Sequence, residues 1–290
     1  MIITVTCNPA IDRTIDGDKI LDIIGGKGIN VSKVLKSLGC ESLCTGLLGR
    51  ENGQLIRDGL EQMKINHHFI EVDGRVRTNT KRIVEGKLFE EYEKGPKADR
   101  DSYEKLKDYL QQFHNDIIVI AGSAPANCDE NFYAELVKTA RDNHNYVILD
   151  CGSELMKKAL KQHPDAIKPN EDEVLRLFDL KDRDQIIEKC LKLDLDLIIV
   201  SLGADGAIFI RDREVYRCAA PDVNYVSAVA AGDAMVAAMA YARENDLSFK
   251  ELIKLAMAAA CASVEMPGSK APDKEKIYSF IDKVVIEKVR

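Results

Sequence analysis

Four short segments carry residue types suited to handling a phosphate and a hydroxyl. The first, Gly25-Gly26-Lys27-Gly28-Ile29-Asn30-Val31, is a glycine-rich turn running into a helix. Glycines let a backbone approach a ligand closely, and unpaired N–H groups at a helix start attract anions. Lys27 adds a mobile positive charge. The same residues also make an ordinary strand-to-helix turn with a solvated lysine, and their spacing is neither that of Walker A nor GxGxxG. The second, Ala230-Ala231-Gly232-Asp233, opens an alanine-rich helix. A small-residue helix start suits the charge that develops on a transferring phosphoryl group, and Asp233 stands where a carboxylate could take a hydroxyl proton. A plain helix-capping role would account for Asp233 equally well.

The third segment is Lys168-Pro169-Asn170-Glu171-Asp172-Glu173. Pro169 forces an extended entry, Asn170 can cap the helix that follows, and the acidic first turn complements the helix dipole. In a functional reading, Asn170 and Glu173 organise water around Mg²⁺, an ion that keeps much of its hydration shell. The fourth, Val200-Ser201-Leu202-Gly203-Ala204-Asp205-Gly206, is a strand leading into a glycine turn. It reads as a hairpin-like turn or as a nucleotide-binding edge.

These segments need a frame, and the hydrophobic pattern supplies one. Short apolar runs at Ile2–Thr6, Ile117–Ala121, Val147–Asp150 and Leu197–Ser201 alternate with helical patterns such as Ile29–Leu38 and Glu130–Arg141. Fully apolar strands alternating with helices predict a doubly wound, mostly parallel sheet with helices on both faces, and ligands at its carboxyl ends. His67–Val72, Thr80–Val84 and Lys87–Tyr92 break the rhythm with charges on alternate residues, which predicts a small antiparallel patch with a tight turn at Gly86. The alanine-rich runs Ala234–Arg243 and Phe249–Ala262 predict a closely packed helical pair. The charged run from Asp273 to Arg290 predicts a terminal amphipathic helix. One globular unit over residues 1–290 is expected.

Composition narrows the partners. With 46% hydrophobic residues the chain can bury a core, and a net charge of -7 argues against nucleic acid as the main partner. A small anionic substrate needs only a local cluster of Lys and Arg. The eight cysteines are scattered without a CxxC pair, which predicts reduced thiols in the cytoplasm. Met1–Thr6 reads as a strand rather than a leader. The most apolar stretch, Val226–Ala240, is interrupted by Asp233 and too short for a bilayer, so no membrane partner is expected.

Taken in order, Asn8-Pro9-Ala10-Ile11-Asp12, GGKGINVS, Arg77-Thr78-Asn79-Thr80-Lys81, Gly122-Ser123-Ala124-Pro125, KPNEDE, VSLGADG and AAGDA resemble the phosphofructokinase B family of ribokinase-like carbohydrate kinases, over nearly the whole chain. The opening and the RTNTK segment look most like 1-phosphofructokinases and tagatose-6-phosphate kinases. The resemblance implies that Asp12, Gly26, Lys27 and Asn30 line a sugar site. It implies that Arg77 and Lys81, with Lys27, neutralise a phosphate already on the substrate, with Ser123 nearby. Asn170 and Glu173 match Mg²⁺-associated positions, and Ser201, Gly203 and Gly206 match an ATP-contacting segment. Ala230, Ala231 and Gly232 correspond to an anion hole, and Asp233 to a general base. The implied reaction is ATP-dependent phosphorylation of a ketohexose monophosphate, first fructose 1-phosphate to fructose 1,6-bisphosphate and next tagatose 6-phosphate. A non-catalytic sugar-phosphate or nucleotide binder on the same scaffold is the alternative.

Three departures from the family pattern bear on this. Ala230 stands where the family usually has glycine, and at positive φ an alanine costs roughly 1 kcal/mol. The stretch Ile15–Gly25 and the excursion Arg77–Lys94 look trimmed, so a shortened β lid formed mainly by about 67–94 and the 12–24 segment is expected. Relatives' lids pair between subunits, which implies a homodimer, weakened here if that clasp is lost.

Overall fold

The computed structural model describes residues 1–84 and 87–290; the turn expected at Gly86 lies outside the described residues. In chain order the elements are β1 (Ile2–Thr6), β2 (Ala10–Asp16), β3 (Lys19–Gly25), α1 (Lys27–Ser37), β4 (Ser42–Glu51), α2 (Gln54–Gln62), β5 (Asn66–Arg75), β6 (Arg77–Val84) and β7 (Lys87–Tyr92). Next come α3 (Arg100–Leu110), β8 (Ile117–Ala121), α4 (Phe132–Asp142), β9 (Tyr146–Asp150), α5 (Ser153–Ala159), β10 (Ala166–Ile167), α6 (Glu171–Phe178) and α7 (Gln185–Cys190). The chain ends with β11 (Leu197–Ser201), β12 (Ala207–Arg211), β13 (Glu214–Cys218), α8 (Ala231–Glu244), α9 (Phe249–Val264), α10 (Lys274–Ile281) and β14 (Ile286–Lys288).

The large sheet has the order β14-β13-β12-β11-β10-β9-β8-β1-β4-β5. From β11 to β5 every pairing is parallel, and β12 to β14 add an antiparallel edge. The central strands are apolar because both faces are covered. Alternation along β1 sends Ile2 into the core it shares with α1, α8 and α9, and Ile3 and Val5 into the core beneath α3 and α4. In the α8–α9 pair, Ala237, Ala238, Ala256 and Ala259 are wholly buried, so the two helices approach closely and a larger side chain there would overpack them. No described helix is long and apolar enough to cross a membrane.

A second sheet, of order β3-β2-β6-β7, stands apart from the first. It is not wholly antiparallel as expected, because β2 and β6 pair in parallel. Segment 67–72 does not belong to it either. That segment lies in β5, the edge of the large sheet, parallel to β4. Its alternating charges reflect an edge position, while Phe69 and Val72 are still buried. The stretch expected to be short, Ile15–Gly25, holds the turn and return strand of a hairpin in which Ala10 pairs with Gly25 and Asp16 with Lys19. The charged C-terminal run is helical only to Ile281, and its last residues join the sheet edge against β13.

The glycine turn after β11 is a hairpin leading antiparallel into β12. Gly206 sits there at φ 94°, and a Cβ on it would lie 1.9 Å from the Cys218 carbonyl oxygen. Backbone packing therefore requires glycine at this position. Gly206→Ala is expected to destabilise the chain by more than about 2 kcal/mol in denaturant unfolding.

Candidate active site

The parallel strands end at a common edge. Asp150 is the last residue of β9, Lys168 follows β10 directly, and Ser201 closes β11, bridged in parallel to Asn170. Two helices begin at the same edge, α1 at Gly26–Lys27 and α8 behind Ala230. The small sheet overhangs them. Its register pairs Ala10 with Arg77, Asp12 with Asn79 and Thr14 with Lys81, so Arg77, Asn79 and Lys81 share a face with Asp12. Asp12, Lys27, Asn30, Arg77, Asp150, Lys168 and Asp233 are among the residues lining one cleft of about 380 Å³. Its position obeys the rule for open α/β sheets.

Asp150 is wholly buried at the cleft floor. Lys27 Nζ stands 2.9 Å and Lys168 Nζ 3.8 Å from its Oδ1. Burial works against the Asp150 charge, yet Lys168 and Lys27 hold its carboxyl below the usual range. Burial likewise disfavours the Lys27 ammonium, but Asp150, Asp233 and Glu173 outweigh it and raise its pKa. The Lys27–Asp150 pair is thus ionised, with Lys168 beside it. Around the cleft, Asn30 Oδ1, Arg77 Nε, Asn79 Oδ1 and Asp150 Oδ2 are buried without a protein partner. Each such atom costs about 1–3 kcal/mol when left unpaired. Their gathering at one cleft is what a polar ligand site requires.

The start of α8 completes the arrangement. Ala230 is in the left-handed region at φ 66°, the conformation that favours glycine, and its methyl cannot cap the helix. The Ala231 N–H reaches back to the Ala228 carbonyl at 3.4 Å, which leaves those of Gly232 and Asp233 to the cleft. Gly232 keeps them accessible, because a Cβ there would lie 3.1 Å from Lys168 Nζ. Asp233, in the first turn, is 6% exposed and accepts a 2.8 Å hydrogen bond from Asn30 Nδ2. Burial raises its pKa to about 6; Lys27, the Asn30 bond and Lys168 oppose this, and the Asp150 charge reinforces it. A buried carboxylate that is ionised near neutral pH and sits at a helix start can accept a proton.

Asp12, Gly26, Lys27, Asn30, Arg77, Asn170, Glu173, Ser201, Ala230, Gly232 and Asp233 line this cleft together. Other expected residues lie outside its lining. Lys81 pairs with Glu90 at 3.0 Å, Ser123 sits on an exposed turn held by Asn8, and Ala231 is the first residue of α8. Gly203 and Gly206 shape the β11–β12 turn. Lys168, Asp150 and Asn79 were not expected. Lys168 and Asn79 lay inside singled-out motifs, and Asp150 closed a predicted strand, so the carboxyl-end rule was the signal available for it.

For a divalent cation, Asn170 Oδ1 and Glu173 Oε2 are already engaged with each other's backbone N–H in a capping box. Among the described residues no three His, Cys, Asp or Glu side chains form a metal cage. The second carboxylate oxygen of Glu173 and the unpartnered Asp150 Oδ2 remain. That donor set fits a cation that keeps its water.

An uncapped helix start, two ammonium groups and a buried base at the carboxyl ends of a doubly wound sheet are the parts of a phosphotransferase. Comparison with known proteins specifies the kind. The chain belongs to the pfkB family of carbohydrate kinases, whose model matches residues 1–276. It is 34% identical to a 1-phosphofructokinase of Borreliella burgdorferi over 281 residues, 91% of each chain. It is 31% identical to a tagatose-6-phosphate kinase of Staphylococcus epidermidis over 279 residues, 89% of this chain and 90% of that one. In fold it matches phosphofructokinase-2 of Escherichia coli with a TM-score of 0.90, at 22% identity, over 97% of this chain and 98% of that one.

The raised pKa of Asp233 has a consequence for stability. The native state binds this proton more tightly than the unfolded chain, so ionising Asp233 costs stability in full above pH about 6 and not at all below the ordinary value of 3.8. Asp233→Asn is expected to raise unfolding stability at pH 8 by on the order of 1–2 kcal/mol, with the gain gone near pH 3.5. Thermal unfolding at the two pH values checks it.

Proposed function

We propose that the chain transfers the γ-phosphoryl group of ATP to a hydroxyl of a ketohexose monophosphate, fructose 1-phosphate first and tagatose 6-phosphate next. The observation that carries this is Asp233 at the open start of α8, beside the Lys27–Asp150–Lys168 cluster. Asp233 takes the proton of the attacking hydroxyl. The first N–H groups of α8, with Lys168 and Lys27, offset the charge on the transferring group. Asp12 accepts sugar hydroxyls, and Arg77, with its buried unpartnered Nε, meets the phosphate already on the sugar. The ion pair with Glu90 leaves Lys81 a lesser part in this. The nucleotide lies on the Ser201–Gly206 side. Asn170, Glu173 and Asp150 would hold Mg²⁺, which would supply charge neutralisation on the nucleotide phosphates. Both named relatives, a 1-phosphofructokinase and a tagatose-6-phosphate kinase, support a phosphorylated ketose as substrate.

We also propose a homodimer through the small sheet. On the face that bears Asp12, Leu21 is 47% and Tyr92 59% exposed, an apolar pair left open to a partner, while Ile20 and Phe89 are exposed on the opposite face. The face bearing Asp12 and Asn79 continues outward into Leu21 and Tyr92, so a partner sheet laid there would cover the open side of the cleft.

ADP release should be measured with Mg²⁺-ATP against fructose 1-phosphate, tagatose 6-phosphate, fructose 6-phosphate and ribose. Turnover confined to a phosphorylated sugar is expected, with an acid limb near pH 6 set by Asp233. Lys168→Met should lower kcat by about a hundredfold or more. Binding of a sugar phosphate without ADP release would instead select a non-catalytic binder. Light scattering should show a dimer that Leu21→Asp with Tyr92→Asp converts to monomer; a monomeric wild type would remove the dimer.

A further inference from the structure

Lys33 is the buried charge that the mechanism above leaves unused. It lies in α1 with 4% of its surface exposed and does not line the cleft. Its ammonium donates to the Ile24 carbonyl at 2.8 Å and to the Ser269 carbonyl at 2.5 Å. Among the described residues no carboxylate lies within ion-pair distance of it. A buried ammonium held by carbonyls alone is an expensive way to fill space.

Its two acceptors show what it holds. Ile24 precedes Gly25–Gly26, where the small sheet joins α1. Ser269 is 1% exposed, and its hydroxyl donates to Asp12 Oδ2 at 2.7 Å. The other Asp12 oxygen accepts from Asn79 Nδ2 at 2.9 Å. A Cβ on Gly25 would lie 2.4 Å from Asp12 Oδ2, so the β3 backbone also bounds this carboxylate closely. A continuous set of contacts thus runs from α1 through Lys33 and Ser269 to Asp12 and across to β6.

We infer that Lys33 is a positioning residue for the sugar subsite: by binding the Ile24 and Ser269 carbonyls it fixes the hydroxyl that aims Asp12 and ties the root of the small sheet to α1. This rests on the reading of Asp12 as a ligand of sugar hydroxyls. The groups facing the ammonium are Asp12 from β2, Asp233 from α8 and the Cys44 thiol from β4. Burial pushes its pKa down to about 8, against the pull of those groups. The charged form is therefore complete below pH about 7 and lost as pH rises through 8, where the neutral amine makes weaker bonds to carbonyls. Sugar affinity should fall over that range while ATP affinity stays level.

The test compares wild type with Lys33→Met and Lys33→Arg by steady-state kinetics and by calorimetry with fructose 1-phosphate and tagatose 6-phosphate. Lys33→Met is expected to raise the KM and Kd for the sugar phosphate about tenfold, with kcat and the KM for ATP changed less than about threefold. Lys33→Arg, which stays charged, should recover part of the affinity and flatten the alkaline rise in KM. A folded Lys33→Met protein with wild-type sugar KM overturns the inference. So does an equal loss in kcat and both KM values, which marks a merely structural lysine. If Lys33→Met does not fold, Ser269→Ala keeps both carbonyls and removes only the aiming hydroxyl; an unchanged sugar KM in that variant also overturns it. A wild type that neither binds nor turns over any sugar phosphate overturns the proposed function and this inference with it.

Discussion

The structure depends on one buried carboxylate. Asp150 lies at the end of a central strand, where nothing but charge of the opposite sign can keep it ionised. Lys27 comes to it from the start of α1 and Lys168 from the end of β10, so three chain segments far apart in sequence are held at one point. That point fixes where the glycine turn meets the sheet and how close Lys168 comes to α8. Asp233 owes its raised proton affinity chiefly to burial, reinforced by the Asp150 charge and opposed by the two lysines. Two anions, the buried Lys168 and the half-exposed Lys27 lie within a small volume where one carboxylate is held ionised and the other is poised near neutrality.

The helix start at Ala230 shows a second kind of constraint. A left-handed alanine is unfavourable by about 1–2 kcal/mol relative to ordinary backbone. The conformation is nevertheless kept. The structured surroundings, with α8 packed along its length against α1 and α9, determine the turn more strongly than the residue's own preference. Stability and chemistry therefore pull in opposite directions at this helix, through the strained Ala230 and the buried charge of Asp233.

Much of this was legible in the sequence. The apolar runs at Ile2, Ile117 and Leu197 announced strands covered on both faces, and the glycine-rich and alanine-rich turns marked helix starts that do meet at one cleft. What could not be read were pairings decided by tertiary position. Segment 67–72 carries the same alternation whether it edges the large sheet or sits in the small one. Asp150 looks like any strand-terminal aspartate until two lysines are brought to it. Lys81 shares the correct face, but only the fold reveals Glu90 opposite. Gly203 and Gly206 look like ligand-contacting glycines, whereas the close approach of the Cys218 carbonyl is reason enough for the second.

The parallel pairing of β2 with β6 has a consequence for how the molecule assembles. Between these strands the chain leaves the small sheet, runs α1, β4, α2 and β5 through the large one, and only then returns. The β2–β3 hairpin can close locally, within microseconds, as hairpins do. The second pair of strands has no address until β4 and β5 have docked beside β1, since β6 follows β5 directly. The small sheet is therefore a late, long-range product of folding, and its loop-closure entropy is met only after the main scaffold exists. A chain caught before that step would hold Lys27, Asp150 and Lys168 in place yet lack Arg77 and Asn79, a cleft floor waiting for its roof.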